Sequence, residues 1–183
     1  CRELIQLFEQ SESYDSGFMQ EEDGRTVGRL DHSFKRRRDY ELTDGQIRQA
    51  TVVRIHDRLV PEIDKAFGFH ATRIERYLVC CYEATTNDHF HPHRDNTTKG
   101  TAHRRFAVSI FLNPGEYEGG DVRFPEFGSK TYRAELGGAV VFSCSLLHEV
   151  VPMIRGRRFA FLPFLYDDAA AELRDANLKF LDD

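Results

Sequence analysis

The chain contains 183 residues with a mass of 21.2 kDa, which fits one domain of ordinary size with a buried core. Its composition is 40% hydrophobic and 30% charged with a net charge of −5, so no global basic field draws it onto nucleic acid or an anionic membrane. No apolar stretch approaches the roughly 18–20 residues of a membrane span, and the N-terminus lacks the layout of a secretory signal. We therefore expect a cytoplasmic protein with no membrane partner and no nucleic-acid partner.

The first third of the chain predicts helices and loops. Residues 1–10 carry apolar side chains at helical spacing and predict a short amphipathic helix. Residues 11–43 have few apolar runs and predict loops with at most a single short strand. A helix start at Thr43-Asp44 predicts a helix over 44–67, which Pro61 kinks or divides.

From about residue 71 onward, runs rich in Val, Ile, Phe and Tyr are separated by Gly, Pro and Asn, a texture that predicts strands. The predicted strands are 72–83, 89–93, 106–113, 120–124, 130–133, 138–143, 146–151 and 157–166, and a helix over 168–180 closes the chain. This order predicts an α+β arrangement, an all-β core with flanking helices on one outer face. We expect a single domain over 1–183, with support from 1–70, a β core over 71–166 and a C-terminal helix in 167–183.

The stretch 89-HFHPHRDN-96 places three histidines and an aspartate at alternate positions. Residues i and i+2 of a strand share a face, so His93 and Asp95 can bind one metal ion. His148, which follows a predicted strand ending at Ser143, is the third candidate ligand. Two imidazoles and one carboxylate leave three octahedral positions open, an arrangement typical of non-haem Fe(II) centres that admit a bidentate cosubstrate and O₂.

Such a centre needs a cation for the distal carboxylate of the cosubstrate, and Arg158 is the candidate. A hairpin centred near residue 153 or 154 would place His148 and Arg158 on one face, nearly opposite each other. A planar guanidinium suits a bidentate grip on a carboxylate, and Arg157 is expected to point the other way. The alternative is that Arg158 pairs with an Asp or Glu of the chain itself.

Two other interpretations stay open at this point. In a cupin-type metalloenzyme, His91 and His93 would form an HxH pair completed by His148 or Glu149, and no bidentate cosubstrate would be involved. This alternative predicts an essential His91 and leaves Asp95 unexplained. A non-catalytic binding domain predicts that loss of His93 changes only stability. If the first interpretation holds, the remaining histidines are expected either to have no role in the site or to contact the metal ligands without binding the metal; these are His89, His91 and His103.

Together, 93-HRD-95, His148 and Arg158 resemble the Fe(II)/2-oxoglutarate-dependent dioxygenases. Three further features are similar to the prolyl-4-hydroxylase-like branch of that family: the aromatic Phe90, the segment 119-GGDVRFPEFG-128, and the segment 137-GGAVVFSCSLLHEVVPMIRGRRFAF-161. The resemblance covers about residues 80–166 and is poor in the N-terminal third.

The resemblance implies a double-stranded β-helix, the jelly-roll or cupin-like fold, with Fe(II) bound by His93, Asp95 and His148. It implies 2-oxoglutarate anchored by Arg158 with assistance from Tyr82, and pocket-lining roles for Arg105 and Ser109. The reaction would use O₂ to hydroxylate a primary substrate and release succinate and CO₂, with ascorbate as the reductant that restores the iron.

The substrate class stays open among peptidyl prolyl residues, other protein side chains and small molecules. Some members of the branch carry a peroxiredoxin-like domain on the N-terminal side, and a chain that starts at Cys1 rather than Met is expected to be a piece of such a longer protein.

Two short basic runs, 35-KRRR-38 and 103-HRR-105, could attract an acidic substrate or nucleic acid. The preferred interpretation is a solvated face paired with Asp39 and Glu41. The predicted loop 11–43 and the segment 96–105 are expected to flank the mouth of the barrel and to select the substrate.

Overall fold

Four α-helices and seventeen short strands lie within residues 1–181, which a computed structural model describes. The helices are α1 (Arg2–Gln10), α2 (Gly45–Arg58), α3 (Val60–Phe67) and α4 (Asp168–Asn177). The strands are β1 (Tyr14–Asp15), β2 (Phe18–Glu22), β3 (Arg25–Arg29), β4 (Lys35–Arg36), β5 (Arg38–Glu41), β6 (Arg73–Glu75), β7 (Leu78–Glu83), β8 (His89–His93), β9 (Phe106–Phe111), β10 (Glu118–Gly119), β11 (Val122–Arg123), β12 (Thr131–Tyr132), β13 (Ala139–Ser143), β14 (His148–Val150), β15 (Met153–Arg155), β16 (Arg157–Phe161) and β17 (Phe164–Tyr166).

Most strands belong to two antiparallel sheets that pack against each other. The larger sheet has the order β1-β5-β7-β16-β9-β17-β6, with β13 also paired to β9, and the smaller has the order β12-β11-β14-β8-β4. Buried side chains from both sheets form one apolar cluster, which includes Tyr82, Phe90, Phe142 and Val150. The interior of the molecule therefore lies between the two sheets.

The larger sheet buries both of its faces. In β7, Val79 and Cys81 pack with the helices, whereas Cys80 and Tyr82 face the interior between the sheets, because successive side chains of a strand point to opposite faces. The helix residues that cover the outer face are Leu4, Phe8, Ile55, Val60 and Ile63. The prediction of an all-β core with flanking helices is confirmed.

The prediction of loops over 11–43 is wrong, because this region contributes β1 to β5. β4 pairs with β8 at the edge of the smaller sheet, and β5 pairs with β7 in the larger. β2 and β3 form a hairpin around Asp23 and Gly24, which both have positive φ. Most side chains of the hairpin are polar and exposed, so the sequence lacks the alternation that identifies a strand.

The β2–β3 hairpin is fastened to the turn at Lys99–Thr101. The Gly100 N–H donates to Oγ1 of the buried Thr26 at 2.8 Å, and the Lys99 N–H donates to the Glu21 carboxylate at 3.0 Å. This turn follows β8 closely in the chain. Between the hairpin and the end of β8 lies an open groove, called the outer groove below, whose lining includes Phe18, Met19, Pro92 and Asp95.

The helix predicted over 44–67 is present but divides earlier than expected. The Asp44 side chain caps α2 by accepting from the N–H groups of Gln46 and Ile47 at 3.0 and 2.9 Å, as the sequence predicted. The division falls at Leu59, and Pro61 occupies the first turn of α3, where a proline loses no helical hydrogen bond. No helix within residues 1–181 combines the length and apolar character needed to cross a membrane.

Several predicted strands are shorter or divided. The strand predicted over 72–83 is interrupted at Arg76, which has φ +63°, and the one over 157–166 is interrupted at Leu162–Pro163. The predicted hairpin of His148 with Arg158 is wrong, because β14 belongs to the smaller sheet, β16 belongs to the larger, and β15 pairs with β10. The predicted closing helix is α4 plus a 3₁₀ turn at Leu178–Phe180. The single domain over 1–183 stays a prediction, and residues 182–183 lie outside the described residues.

Glu75, at the end of β6, anchors the segment that follows the predicted metal ligand Asp95. Its carboxylate contacts His103 Nε2 at 2.9 Å and accepts from Arg104 Nε at 2.6 Å, while Arg104 Nη1 donates to the Asp95 carbonyl at 3.4 Å. Burial alone would raise the pKa of Glu75, but His103 and Arg104 outweigh burial and lower this pKa to about 2. The basic run at 103–105 is therefore not a solvated face, since His103 and Arg104 are buried.

We expect the Glu75→Gln variant to be less stable at neutral pH by about 2–3 kcal/mol. The pKa of Glu75 is lower in the folded chain than its unperturbed value of 4.5, so its stabilisation is present above that value and is lost as the pH falls toward 2. Urea unfolding should therefore show a difference between wild type and variant that shrinks across this acidic window. Glu62→Gln, at an exposed pair with Lys65, is the control, and a difference that does not vary with pH would contradict the prediction.

Candidate metal centre

The predicted ligands come together where β8 and β14 lie side by side. His148 on β14 is the register partner of His93 on β8, and Asp95 follows β8 with its N–H donating to the Cys144 carbonyl at 3.0 Å. His93 Nε2 lies 3.5 Å from Asp95 Oδ1, and His148 Nε2 lies 3.4 Å from Asp95 Oδ2. One ligand atom from each residue falls within 4.8 Å of the others, so the three side chains can surround one ion.

Backbone carbonyls hold both imidazoles in the form that a metal needs. His93 Nδ1 lies 2.8 Å from the His91 carbonyl, and His148 Nδ1 lies 3.0 Å from the Leu146 carbonyl. A carbonyl only accepts, so each Nδ1 carries a proton and Nε2 is the ring nitrogen that remains to bind a metal. Such an outer hydrogen bond is the usual way in which a metal-binding histidine is oriented.

The charges at this place also suit a cation. Burial lowers the pKa of the His148 imidazole. Burial alone would raise the pKa of Asp95, but His148 and then His93 outweigh burial and hold this pKa below its usual range. Two imidazoles and one carboxylate form a donor set that fits Fe(II).

The other histidines lie outside this group. His91 is exposed, and its ring lies beside His89 at 4.7 Å and Phe34 at 6.1 Å. Among residues 1–181, the only group of His, Cys, Asp and Glu ligands that could hold a metal ion is His93, Asp95 and His148. The HxH pair of the cupin alternative is therefore not formed. His103 is bound to Glu75 and is also remote from the group.

Arg158 reaches the same interior from the opposite sheet. It lies on β16 as the register partner of Tyr82, it is 1% exposed, and its Nη2 donates to Ser109 Oγ at 2.7 Å. Its guanidinium carbon lies 5.2 Å from the Tyr82 ring centroid and 5.0 Å from that of Phe111. Arg157 points outward and pairs with Glu9 at 2.6 Å, as the alternation predicted.

The Arg158 guanidinium is a buried cation with unused donors. Within the described part of the chain, Nε and Nη1 have no hydrogen-bond partner, and no carboxylate pairs with this residue. The alternative in which Arg158 pairs with the chain's own Asp or Glu is therefore wrong. Since a buried charge without an anion is costly, the unused donors fit the carboxylate of a bound molecule.

The ligand group and Arg158 line one cavity between the sheets. Its lining includes the predicted Tyr82 and Ser109, but not Arg105, whose guanidinium donates to the Ala102 carbonyl instead. The apolar part of the lining is Phe90, Ala107, Val108, Val122, Phe142, Val150, Leu162, Pro163 and Phe164.

Three cationic side chains that the sequence did not assign to the site also line this cavity, namely Lys35, Arg37 and Arg76. Lys35 and Arg37 are 2% and 6% exposed, so the interpretation of residues 35–38 as a solvated face is wrong for these two. The expected pairing with Asp39 is present. Lys35 and Arg37 alternate with the more exposed Arg36 and Arg38, and this spacing of two was the signal that could have identified them.

Comparisons with known proteins agree with this geometry. A family model described as the 2OG-Fe(II) oxygenase superfamily matches residues 77–166. A PKHD-type hydroxylase of Azoarcus sp. (strain BH72) is 30% identical over 105 residues, which are 54% of this chain and 44% of the relative. One of Nitrosomonas europaea is 34% identical over 92 residues, or 46% and 40% of the two chains. The aligned part of the chain thus spans less than half the length of these relatives.

Two solved structures share the fold. A Pseudomonas putida prolyl-4-hydroxylase matches with a TM-score of 0.63 at 19% identity, covering 90% of this chain and 83% of the other. A Trichoplax adhaerens prolyl hydroxylase, in complex with a hypoxia inducible factor peptide fragment, matches with a TM-score of 0.64 at 15% identity, covering 96% and 78%. The two facing sheets are therefore the double-stranded β-helix that the sequence resemblance implied.

Room for the Arg158 side chain depends on Gly120, which follows β10. Gly120 has φ +66°, and a Cβ placed there would lie 2.4 Å from Met153 Sδ and 3.2 Å from Arg158 Cδ. Both the backbone conformation and the close approach require glycine. The stem of Arg158 is thereby held against the backbone of the Gly119–Gly120 turn.

We expect Gly120→Ala to destabilise the protein by about 2 kcal/mol, because a left-handed φ and local overpacking each cost about 1–3 kcal/mol in a non-glycine residue. Urea unfolding measures this change. Gly115→Ala is the matched control, because Gly115 has ordinary φ and a Cβ there meets no atom within 4 Å. Equal effects of the two substitutions would contradict the role assigned to Gly120.

Proposed function

We propose that this chain, which belongs over residues 77–166 to the 2OG-Fe(II) oxygenase superfamily, binds Fe(II) and 2-oxoglutarate and uses O₂ to hydroxylate a primary substrate, releasing succinate and CO₂. The observation that carries the proposal is the pairing, across one cavity, of a His-Asp-His group with a buried guanidinium whose Nε and Nη1 are unused. A metal and a dicarboxylate together account for both features.

His93, Asp95 and His148 would bind the iron on one side, with the Nε2 atoms directed by the carbonyls of His91 and Leu146. When bound, Fe(II) and 2-oxoglutarate supply the activation of O₂ and the oxidation of the substrate. Asp95 contributes the single negative charge of the group. The residues of the chain keep the centre open on its remaining side, which faces Arg158.

Arg158 would hold the distal carboxylate of 2-oxoglutarate through its free donors, with Ser109 fixing one end of the guanidinium at 2.7 Å. The apolar walls around it exclude water, which strengthens a charge-assisted pair. Tyr82 is the candidate for a second contact, since its ring lies beside the guanidinium and its hydroxyl accepts from Arg37 at 3.2 Å.

The identity of the primary substrate stays open between a peptidyl prolyl residue, another protein side chain and a small molecule. The names of the relatives, PKHD-type hydroxylase and prolyl-4-hydroxylase, support hydroxylation as the reaction class. Ascorbate as the reductant follows by analogy with the branch. A cytoplasmic location, the lack of a nucleic-acid partner and fusion to a peroxiredoxin-like domain stay predictions.

Removal of a ligand tests the metal centre. We expect Asp95→Asn and His148→Ala each to weaken binding of Fe(II), or of Co(II) as a stable probe, by more than about 100-fold, because changes outside the ligand shell already cost 10–100-fold. Calorimetric titration of the apoprotein measures this loss. His91→Ala is the control and should bind within twofold of wild type, while an equal loss in this variant would favour the cupin alternative.

Anaerobic titration of Fe(II) and 2-oxoglutarate tests the cosubstrate site. We expect a weak visible charge-transfer band for wild type, and an affinity for 2-oxoglutarate lower by roughly 30-fold or more in Arg158→Ala, since a hydrogen bond to a charged group contributes about 2 kcal/mol. Arg157→Ala, one residue away but exposed, should keep the wild-type affinity. No band from wild type with metal bound would overturn the proposed function.

A further inference from the structure

A cluster of charged side chains beside the cavity takes no part in the function proposed above. It consists of Lys35, Arg37, Arg76 and Asp39, and is called the basic cluster below. All three cations line the cavity that holds His93, Asp95 and Arg158, and Lys35 and Arg76 also line the outer groove. Lys35 and Arg76 therefore lie where the cavity of the proposed iron site meets the outer groove, which His93 and Asp95 also line.

The one carboxylate of the basic cluster is already occupied. Asp39 is 0% exposed and forms a two-pronged ion pair with Arg37, at 2.7 Å from Nε and 2.8 Å from Nη2. Ser16 Oγ also donates to Asp39. Arg76 approaches no closer than 3.7 Å to the same carboxylate, a distance at which no hydrogen bond forms. Arg37 is thus fully engaged by Asp39, whereas Arg76 makes only this longer ion-pair contact with it.

Lys35 is held in an environment that opposes its charge. Its Nζ donates to Ser16 Oγ at 2.7 Å and to the Gly17 carbonyl, and it lies 4.8 Å from the Phe90 ring centroid. Burial, and then the neighbouring charge of Arg37, hold the pKa of the Lys35 ammonium well below its usual range. An anion placed beside Lys35 would remove this cost.

The negative charge of the proposed cosubstrate does not neutralise the basic cluster. The two negative charges of 2-oxoglutarate are matched by Arg158 and by the single positive charge that remains on Fe(II) once Asp95 is bound. Even with Lys35 uncharged, the basic cluster keeps the surplus charge of Arg76. Two other carboxylates of the outer groove are already engaged, since Asp95 belongs to the proposed iron site and Glu75 pairs with His103 and Arg104. The remaining acidic residues of the outer groove are exposed; these are Asp15, Glu21, Asp31 and Glu41.

The backbone of Arg76 adopts a conformation that is unfavourable for a non-glycine residue. It sits between β6 and β7 with φ +63°, a conformation that costs a non-glycine residue of order 1 kcal/mol or more. About a third of its side chain is exposed. Its guanidinium lies 5.7 Å from the Phe164 ring centroid, and Phe164 lines the cavity. The side chain is directed to the junction of the cavity and the outer groove.

We propose that the primary substrate carries a carboxylate near the carbon that is oxidised, and that Arg76 together with Lys35 binds this carboxylate. The inference rests on the proposed function for the identity of the reaction but not for the anion site itself, which exists without the metal. The carboxylate can belong to a small acid or to an acidic side chain of a peptide. In either case Arg76 is a residue that determines specificity.

The test is calorimetric binding of matched probes that differ by one charge. The protein is loaded with Mn(II) and N-oxalylglycine, an unreactive analogue of 2-oxoglutarate, so that Arg158 is already occupied. N-acetyl-glutamic acid amide is compared with N-acetyl-glutamine amide, and the pentapeptide Ac-AAEAA-NH₂ with Ac-AAQAA-NH₂. We expect the acid of at least one pair to bind about tenfold more tightly than its amide, as a charge-assisted contact implies.

Substitutions test whether the basic cluster causes the preference for the acid over the amide. Arg76→Gln should remove the preference for the acid, while Arg73→Gln, which changes an exposed arginine of the adjoining strand paired with Asp168, should keep it. Lys35→Met should reduce the preference for the acid. It should also abolish the proton uptake that accompanies binding, which is measured by repeating the titration in buffers of different ionisation enthalpy. Thermal unfolding confirms that each variant is folded.

Equal affinity for acid and amide in both pairs, or no binding of any probe, would overturn the proposal, as would a preference that survives Arg76→Gln. A preference within the amino-acid pair alone indicates that the substrate is a small acid. A preference within the pentapeptide pair indicates an acidic side chain of a peptide. A protein that fails to load Mn(II) and N-oxalylglycine contradicts the proposed function instead, and the same probes are then titrated into the metal-free chain, where the basic cluster is intact.

Discussion

A buried guanidinium with a single neutral acceptor is the interaction on which the rest of this structure depends. Arg158 donates from Nη2 to Ser109, and its Nε and Nη1 have no hydrogen-bond partner within residues 1–181, although a cation removed from water needs an anion. Alternation along β16 turns Arg158 inward and its neighbour Arg157 outward to Glu9. The fold thus places an unbalanced charge opposite a metal-binding group, and a dicarboxylate that also binds the metal is the molecule that completes both.

Strand register and backbone carbonyls position most of the predicted metal-binding group. One register pair, His93 with His148, brings two strands' imidazoles together, and carbonyls two residues before each histidine fix the protonated nitrogen. Asp95 is held by the backbone of Cys144 and through Arg104 by Glu75. The side chains proposed to bind the ion are therefore positioned by main-chain atoms and by one buried ion-pair network.

The sequence was informative where side-chain type alone determines the chemistry. The spacing in 93-HRD-95 and the character of His148 and Arg158 identified the group that the fold assembles, and apolar runs located β9 and β13. The sequence could not show that β14 and β16 lie in different sheets, because short strands separated by five or six residues look like a hairpin whether or not they pair. It also misled at residues 35–38, where four consecutive basic residues suggested a solvated face although two of them are buried.

The hairpin of β2 and β3, together with β4 and β5, builds the outer wall of the site from residues that precede the region shared with the superfamily. The metal ligands and Arg158 all lie within that shared region. The predicted metal ligands and much of the wall of the outer groove consequently come from different parts of the chain. Sequence changes on the exposed β2–β3 hairpin can therefore reshape the outer groove while His93, Asp95, His148 and Arg158 stay unchanged.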